Sequence, residues 1–295
     1  MLTLSIIVKQ PQIPFPSYTL RALMKQILEG MRAFHASGLV HRDIKSDNIL
    51  LHCPPGSGRV YAKISDFGFA KKEDTVNQQT YVAGTIPFMA PELFKLPSII
   101  SQKVDMYAIG VIFYKLITHE YPVDQPNVKL QGKALWDMPK IERLQKFEND
   151  ILWDLLSKLL EFDPIKRITA AEALQHPFFS SLQAFDDISP EQQDLALQAA
   201  AEELEGNENI TQFDKDPTFI VSESTIKLFI QQYLISHPNQ EELINNQNNQ
   251  QKEEFQTIRE IESYEKEMIK QDQIEKQTIE LEIHPSQQVN DIIVD

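Results

Sequence analysis

Residues 41–50 read His-Arg-Asp-Ile-Lys-Ser-Asp-Asn-Ile-Leu, and residues 66–68 read Asp-Phe-Gly. Between them lie two short apolar stretches, residues 49–51 and 60–65, separated by the turn sequence Pro-Pro-Gly-Ser-Gly at 54–58. Apolar stretches flanking such a turn predict a two-stranded antiparallel hairpin. Since the first strand follows Asn48 and the second precedes Asp66, we expect these two side chains to lie side by side.

Four polar side chains in these stretches are of the types that phosphoryl transfer requires. Asp43 is suited to accept the proton of an attacking hydroxyl, and Lys45 to neutralise the transferring group. Asn48 and Asp66 offer the oxygen ligands that Mg²⁺ prefers. Alone, a His-Arg-Asp sequence is usually a charged loop and an Asp-Phe-Gly sequence a turn. The combination, with the lysine and asparagine at fixed offsets, favours the functional interpretation.

Further stretches in the same order strengthen this interpretation. They are Gly-Thr-Ile-Pro-Phe-Met-Ala-Pro-Glu at 84–92, Asp-Met-Tyr-Ala-Ile-Gly at 105–110, Phe-Asp-Pro-Ile-Lys-Arg-Ile-Thr at 162–169 and His-Pro-Phe-Phe at 176–179. Together the motifs resemble the C-lobe of a eukaryotic Ser/Thr protein kinase over about residues 17–182. The resemblance implies a mainly α fold, a helical bundle with a small β-hairpin at the active site. It also implies ATP and Mg²⁺ as cofactors and protein substrates as partners.

The resemblance assigns roles to individual residues. It implies Asp43 and Lys45 as catalytic residues, Lys45, Asp47, Asn48, Leu50 and Asp66 as cofactor-binding residues, and Asn48 and Asp66 as the metal ligands. It also implies that Arg42, Thr80 and Thr85 serve the activation loop and the substrate, that Glu92 and Arg167 form a structural ion pair, and that Asp105 braces the catalytic loop. His41 and Phe67 are expected to be packing residues. Lys45 and Thr85 resemble the residues of kinases that modify serine and threonine.

The loop from Asp66 to Glu92 holds the candidate regulatory sites. The family's usual phosphorylated position corresponds to Tyr81, a departure from the usual serine or threonine. Thr80 is therefore the preferred candidate, and Arg42 resembles the arginine that binds a loop phosphate in some kinases.

The region before His41 departs most from the family pattern. Its only glycines are Gly30 and Gly38, so it contains no G-x-G-x-x-G sequence. Apolar spacing predicts one helix over residues 17–37, and three prolines mark residues 1–16 as an irregular remnant. The strand-like Ile-Ile-Val-Lys at 6–9 is interpreted as a decoy. We therefore expect the ATP-covering lobe to be absent from this chain, ATP binding to be feeble and turnover to be low. A non-catalytic scaffold or substrate-binding pseudoenzyme stays open as the alternative.

Composition predicts a soluble cytoplasmic protein. The single cysteine, Cys53, excludes an internal disulfide framework. No apolar stretch is long enough for a membrane span, since the longest, residues 107–117, predicts a buried helix. The net charge of −15 is unevenly distributed. Residues 1–185 contain 21 basic and 18 acidic residues, a net charge of +3. Residues 186–295 contain 7 basic and 25 acidic residues, a net charge of −18. Nucleic acid is therefore not an expected partner.

The acidic C-terminal part is predicted to have two regions. Residues 183–237 form a helical extension, with a helix beginning at Ser189 and ending before Gly206, and another over 224–236. The apolar stripe of the second helix predicts docking, either on the lobe or on a regulatory partner. Residues 238–295, rich in Asn, Gln and Glu, predict a tail that is partly disordered and partly helical. It is expected to be a solvated linker more than a docking helix, and a long coiled coil is not predicted.

Overall fold

The computed structural model describes residues 2–79, 84–95 and 98–236. Thr80, Tyr81 and the predicted tail over 238–295 lie outside the described residues. The α-helices are α1 Ser5–Val8, α2 Ser17–Ala36, α3 Lys103–Thr118, α4 Val128–Asp137, α5 Asp150–Leu159, α6 Ala170–Leu174, α7 Pro177–Ser180, α8 Leu182–Asp186, α9 Pro190–Leu204 and α10 Glu223–Ser236. The fold is mainly α, as predicted, and within the described residues no helix is both long and apolar enough to cross a membrane.

The strands are short and antiparallel. They are β1 Leu39–Val40, β2 Ile49–His52, β3 Arg59–Ile64, β4 Lys71–Lys72, β5 Asp74–Gln79, β6 Ser98–Ile100 and β7 Val221–Ser222. The predicted hairpin is β2–β3, with Ile49 opposite Ile64 and His52 opposite Tyr61. On its other edge β3 pairs with β7, so the C-terminal extension adds a third strand to this sheet. Two separate ribbons pair β1 with β4 and β5 with β6.

Helices α2 and α3 form the centre of the core. The predicted stripe of α2 is buried at Leu23, Met24, Ile27, Leu28 and Met31. Each such side chain contributes about 1.5–3 kcal/mol when it leaves water. Helix α3 is buried on all sides from Val104 to Tyr114, as the continuous apolar run at 107–117 predicts. The residues that follow His41 are thus attached to a densely packed support.

The first residues pack more closely than the expected irregular segment. Leu4, Ile7 and Val8 are buried, and α1 makes one helical turn in place of a strand. The backbone N–H of Leu4 donates to Ile49 O at 2.8 Å, and that of Leu51 donates to Leu2 O at 2.9 Å. The apolar residues recur at three- and four-residue spacing, so one turn of helix is enough to bury them together. Residues 2–8 therefore hold the outer side of β2.

The extension packs on the same lobe. Ser189 and Gln192 form the predicted capping box, with 3.2 and 2.9 Å hydrogen bonds, and α9 ends at Leu204. Helix α10 begins one residue before the predicted start. Its Ile226 and Phe229 are buried, and the Phe229 ring meets Phe15 edge-on at 5.4 Å. The first part of the α10 stripe is therefore covered within this chain, as the intramolecular alternative predicted, whereas Ile230, Tyr233 and Leu234 are half-buried.

Candidate active site

A buried carboxylate fixes the backbone of the catalytic loop. Asp105 Oδ2 accepts from His41 N and Asp105 Oδ1 from Arg42 N, each at 2.8 Å. Arg42 has a φ of 73°, a left-handed conformation that needs outside support. His35 Nε2 lies 2.9 Å from Asp105 Oδ2 and supplies a third polar contact. Asp105 therefore fixes the backbone of the catalytic loop, as predicted from the sequence.

The Asp43 carboxylate is the centre of the polar cluster. Lys45 Nζ donates to Asp43 Oδ2 at 2.7 Å, and Thr85 Oγ1 donates to Asp43 Oδ1 at 3.0 Å. Asn48 Nδ2 donates to the backbone O of Asp43 at 2.9 Å and to its Oδ2 at 3.3 Å. Asp43 is 5% exposed, so these donors hold the group in one orientation at the edge of solvent.

The hairpin brings Asn48 to the start of the Asp-Phe-Gly segment. Ser65 N donates to Asn48 O at 2.9 Å, and Ser65 Oγ donates to the same oxygen at 3.1 Å. Asp66 follows at φ 65° with an exposed side chain, whose Oδ1 accepts a long 3.4 Å bond from Gly68 N. The Asn48 amide uses its NH₂ group on Asp43, and among the described residues its side-chain oxygen has no donor, so this oxygen can serve a ligand. One amide oxygen and one carboxylate fit a Mg²⁺ ion that takes its other ligands from phosphates and water.

Aromatic contacts support the other side of this junction. His41 is fully buried, with Nε2 3.1 Å from Ser65 O, and its ring lies 5.4 Å from that of Phe67. Phe67 stacks on Phe34 at 5.5 Å, yet it is 53% exposed. Phe67 was expected to be a packing residue, but it packs only through the part of its ring that contacts Phe34 and His41 and is otherwise exposed. His41 is a packing residue that also fixes the end of β3.

The platform after the loop is tied to the C-terminal helices. Arg167 Nη1 and Nη2 donate to the two carboxylate oxygens of Glu92 at 2.7 and 2.9 Å. Arg167 also donates to the backbone O of Lys103 at 2.6 Å and of Glu161 at 2.7 Å.

Gly84, at the start of the platform, lies against the catalytic loop. Its φ is 126° and a Cβ would lie 3.0 Å from Arg42 O, so glycine is required for this close approach.

A family model described as the protein kinase domain matches residues 3–179, more than half of the chain. The chain belongs to the eukaryotic Ser/Thr protein kinase family. It is 32% identical to the phosphorylase b kinase gamma catalytic chain, liver/testis isoform, of Bos taurus over 171 residues, 54% of this chain and 40% of that protein. It is also 32% identical to the serine/threonine-protein kinase cds1 of Schizosaccharomyces pombe over 180 residues, 58% of this chain and 38% of that protein.

A solved structure supports the same family. A chain in the crystal structure of the yeast RNA Pol II CTD kinase CTDK-1 complex matches with a TM-score of 0.52 and 25% identity, over 61% of this chain and 68% of that chain. This kinase-family chain spans about 40% of the length of the two curated relatives described above.

Three assigned residues of this kinase-family chain stand apart from the central cluster. Asp47 lies in the short 3-10 helix Ser46–Asn48 with its side chain exposed, so the structure does not bring it onto Asp43. Leu50 is half-buried on β2, opposite Lys63 and next to Thr3. Thr80 lies outside the described residues. Their assigned roles remain predictions.

Arg42 is buried and lines a small pocket together with Gly84 and Thr85. Burial lowers its pKa, and the Asp105 carboxylate opposes that shift. Nη1 is buried and has no hydrogen-bond partner among residues 2–79, 84–95 and 98–236. The side chain therefore retains a donor for an acceptor from outside these residues.

Sequence reasoning missed His35 as a site residue. It lies in the last turn of α2, where a basic residue is ordinary because of the helix dipole. Its contact with Asp105 joins positions 70 residues apart, so spacing along the chain gives no signal of it.

Proposed function

We propose that this chain catalyses, at the low rate expected from its sequence, transfer of the γ-phosphate of ATP to serine and threonine hydroxyls of protein substrates. One observation carries the proposal: the Asp43 carboxylate is held by Lys45, Thr85 and Asn48 beside the junction that leads to Asp66. A carboxylate that must take a proton from an alcohol needs this kind of fixed orientation, because general-base catalysis depends first on geometry.

The residues divide the work as follows. Asp43 accepts the proton of the attacking hydroxyl at a carboxylate oxygen. Lys45 places its ammonium group within 2.7 Å of that carboxylate, where it also offsets negative charge developing on the transferred group. Asn48 and Asp66 would hold Mg²⁺. Bound Mg²⁺ and ATP supply the electrophilic phosphorus and the leaving group.

Thr85 supports serine and threonine as the acceptor class. Its hydroxyl donates to Asp43 Oδ1 at 3.0 Å, and Lys45 Nζ lies 3.4 Å from the hydroxyl oxygen of Thr85. This bridge joins the platform loop to the base. Lys45 and Thr85 are also the two residues that resemble those of kinases acting on serine and threonine, and this resemblance supports the proposed acceptor class.

Regulation through a loop phosphate belongs to the same proposal. Arg42 lines a pocket with Gly84 and Thr85, and its Nη1 has no hydrogen-bond partner within the described part of the chain, so a phosphate on the loop would form charge-assisted hydrogen bonds with this guanidinium. Thr80 is the preferred acceptor. A Thr80→Ala variant should lose activation by an upstream kinase, whereas unchanged activity and unchanged loop mobility would remove Thr80 from this role.

Comparison of wild-type chain with Asp43→Asn tests the catalytic proposal. Initial rates of Mg²⁺-dependent ³²P transfer from ATP to casein should fall by about 100-fold or more, the usual contribution of a general base. Asp124→Asn, the same change at an exposed position, is the matched control and should keep the wild-type rate. Equal rates in wild type and Asp43→Asn would contradict the proposal.

The second candidate is a non-catalytic lobe that binds protein partners. The exposure of Asp66 and Phe67 favours it, because the described residues around them leave the magnesium side of the site open. Absence of transfer by the wild-type chain, together with retained binding of a protein kinase substrate, would support this candidate.

A further inference from the structure

A cavity of about 140 Å³ lies between the lobe and its C-terminal extension. Helix α2 forms one side, β3 a second, and residues 213–221 the third. Asp43, Asn48 and Asp66 are not among its lining residues, so it is separate from the candidate active site. A cavity of about 150 Å³ in another protein holds one benzene molecule, so this space is large enough for one aromatic ring or branched aliphatic side chain.

The walls of the cavity are mainly apolar. Val60 and Ala62 contribute from β3, and Phe213, Phe219 and Val221 contribute from the extension. The rings of Phe213 and Phe219 lie 4.9 Å apart and form one continuous wall. An apolar group entering from solvent would exchange water contacts for these surfaces.

One end of the cavity is polar. Arg59 is only 3% exposed, and its Nη2 donates to Glu202 at 3.1 Å. Its Nε lies 3.6 Å from Asp214 Oδ1 and has no hydrogen-bond partner within the described part of the chain. The Tyr61 hydroxyl donates to the same carboxylate. Arg59 Nε is therefore buried against the Asp214 carboxylate, and the guanidinium with its two carboxylates closes this end of the cavity.

Hydrogen bonds hold the walls in place. The Gln26 amide donates to Val60 O at 3.1 Å and to Phe219 O at 2.6 Å, and it accepts from Ala62 N at 2.7 Å. Asp214 accepts from Thr211 N and Oγ1 at 2.8 and 2.7 Å. These bonds fix both sides of the opening, so the cavity is preformed and an entering group need not order it.

The surrounding extension is strongly acidic. Residues 186–236 contain 11 Asp and Glu against 2 Lys and Arg, a net charge of −9. Ion pairs join the nearest charges of both signs, Lys25 with Asp216 and Arg59 with Glu202, so the surplus negative charge lies on the acidic residues of the extension outside these pairs. A partner that approaches this surface gains from positive charge.

We propose that this cavity is a docking site for a basic peptide segment of a partner protein. The segment inserts one aromatic or branched aliphatic side chain and carries lysine or arginine on both sides of the anchor. The proposal concerns binding alone and holds whether or not the chain transfers phosphate.

Binding of defined peptides to the full chain tests the proposal. The probe is a fluorescent peptide with one phenylalanine between lysines, and its controls replace phenylalanine with alanine or the lysines with glutamates. Each control should bind at least about tenfold more weakly, as expected for loss of an anchor or of charge attraction. Ala62→Leu, which fills the cavity, should weaken binding of the probe to a similar degree. Ala201→Leu, the same change at an exposed position of α9, should leave it unchanged.

Hydrogen exchange on the wild-type chain gives a readout that needs no variant. Bound probe should protect residues 59–62 and 211–221. Failure of the probe to bind, equal binding by wild type and Ala62→Leu, or protection elsewhere would overturn the proposal. Protection of these residues that requires no peptide and disappears on dilution would assign the cavity to a second copy of the chain and would also overturn it.

Discussion

Breaking the Glu92–Arg167 ion pair should strongly destabilise the lobe, because both side chains are largely buried. The Arg167 side chain is fully buried and that of Glu92 is 12% exposed, so a Glu92→Gln variant leaves a buried cation facing a neutral amide. Removing one partner of a buried pair costs about 3–5 kcal/mol, a large fraction of an ordinary total of about 5–15 kcal/mol. At roughly 2–4 °C per kcal/mol for a domain of this size, the midpoint of thermal unfolding should fall by about 6–20 °C.

A second variant separates the charge from the backbone contacts. Arg167→Met in the Glu92→Gln background removes the stranded cation, yet it also removes the guanidinium donor to the carbonyl oxygens of Lys103 and Glu161. Lys103 begins α3, so its oxygen still accepts a helical hydrogen bond, whereas loss of the donor to Glu161 O costs about 1–3 kcal/mol if the oxygen stays buried, and the double variant should remain less stable than wild type.

The assay is thermal and urea unfolding followed by circular dichroism. Asp150→Asn is the matched control, because it breaks the Arg143–Asp150 pair, whose carboxylate is 86% exposed. That change should cost less than about 1 kcal/mol. A Glu92→Gln midpoint within about 2 °C of wild type would refute the inference that this pair holds the platform to the C-terminal helices.

Three further predictions concern the fold. A chain ending after Asp186 should lose cooperative urea unfolding, since the core then lacks Val221, Ile226 and Phe229 and the apolar surface that they cover becomes exposed, whereas a chain ending after Pro238 should keep it. Gly110→Ala should destabilise by about 1–3 kcal/mol in the same assay, because its Cβ would lie 3.0 Å from Leu159 Cβ; Gly30→Ala, whose Cβ would have a 3.4 Å contact, should be neutral or stabilising. Burial and the hydrogen bond to Asp214 raise the pKa of Tyr61 from 10.0 to about 12, so its contribution to stability is full below pH 10 and is lost as the pH rises to 12. The alkaline loss of stability should therefore be shallower in Tyr61→Phe, and an unchanged slope would contradict this linkage.

The sequence was most informative where local rules decide the structure. The stripe of α2 and the capping box at Ser189 depend on residues a few positions apart, and both are found as predicted. The β2–β3 hairpin follows from its turn and its two apolar runs. The same locality explains why Asn48 could be placed beside the segment that begins at Asp66.

Local sequence patterns could not predict the contacts between residues far apart in the chain. Strand β7 has two residues, too few for any periodicity, and it exists because β3 offers it an edge. Arg59 pairs with Glu202, which lies 143 positions further along the chain. From the sequence alone, Arg59 is expected to be an ordinary exposed cation at the end of a strand. The turn of helix at residues 5–8 is too short for a strong helical signal, and burial against Ile49 decides its form.

Chemical identification of the modified hydroxyl tests the proposed kinase activity most directly. Wild-type chain and Asp43→Asn would each be incubated with Mg²⁺, ATP and a protein that offers serine, threonine and tyrosine, and the product sites would be mapped by mass spectrometry. We expect phosphoserine and phosphothreonine with the wild-type chain and neither with Asp43→Asn. The same phosphorylated sites in both reactions, or phosphotyrosine as the main product, would contradict a Ser/Thr kinase centre built on Asp43.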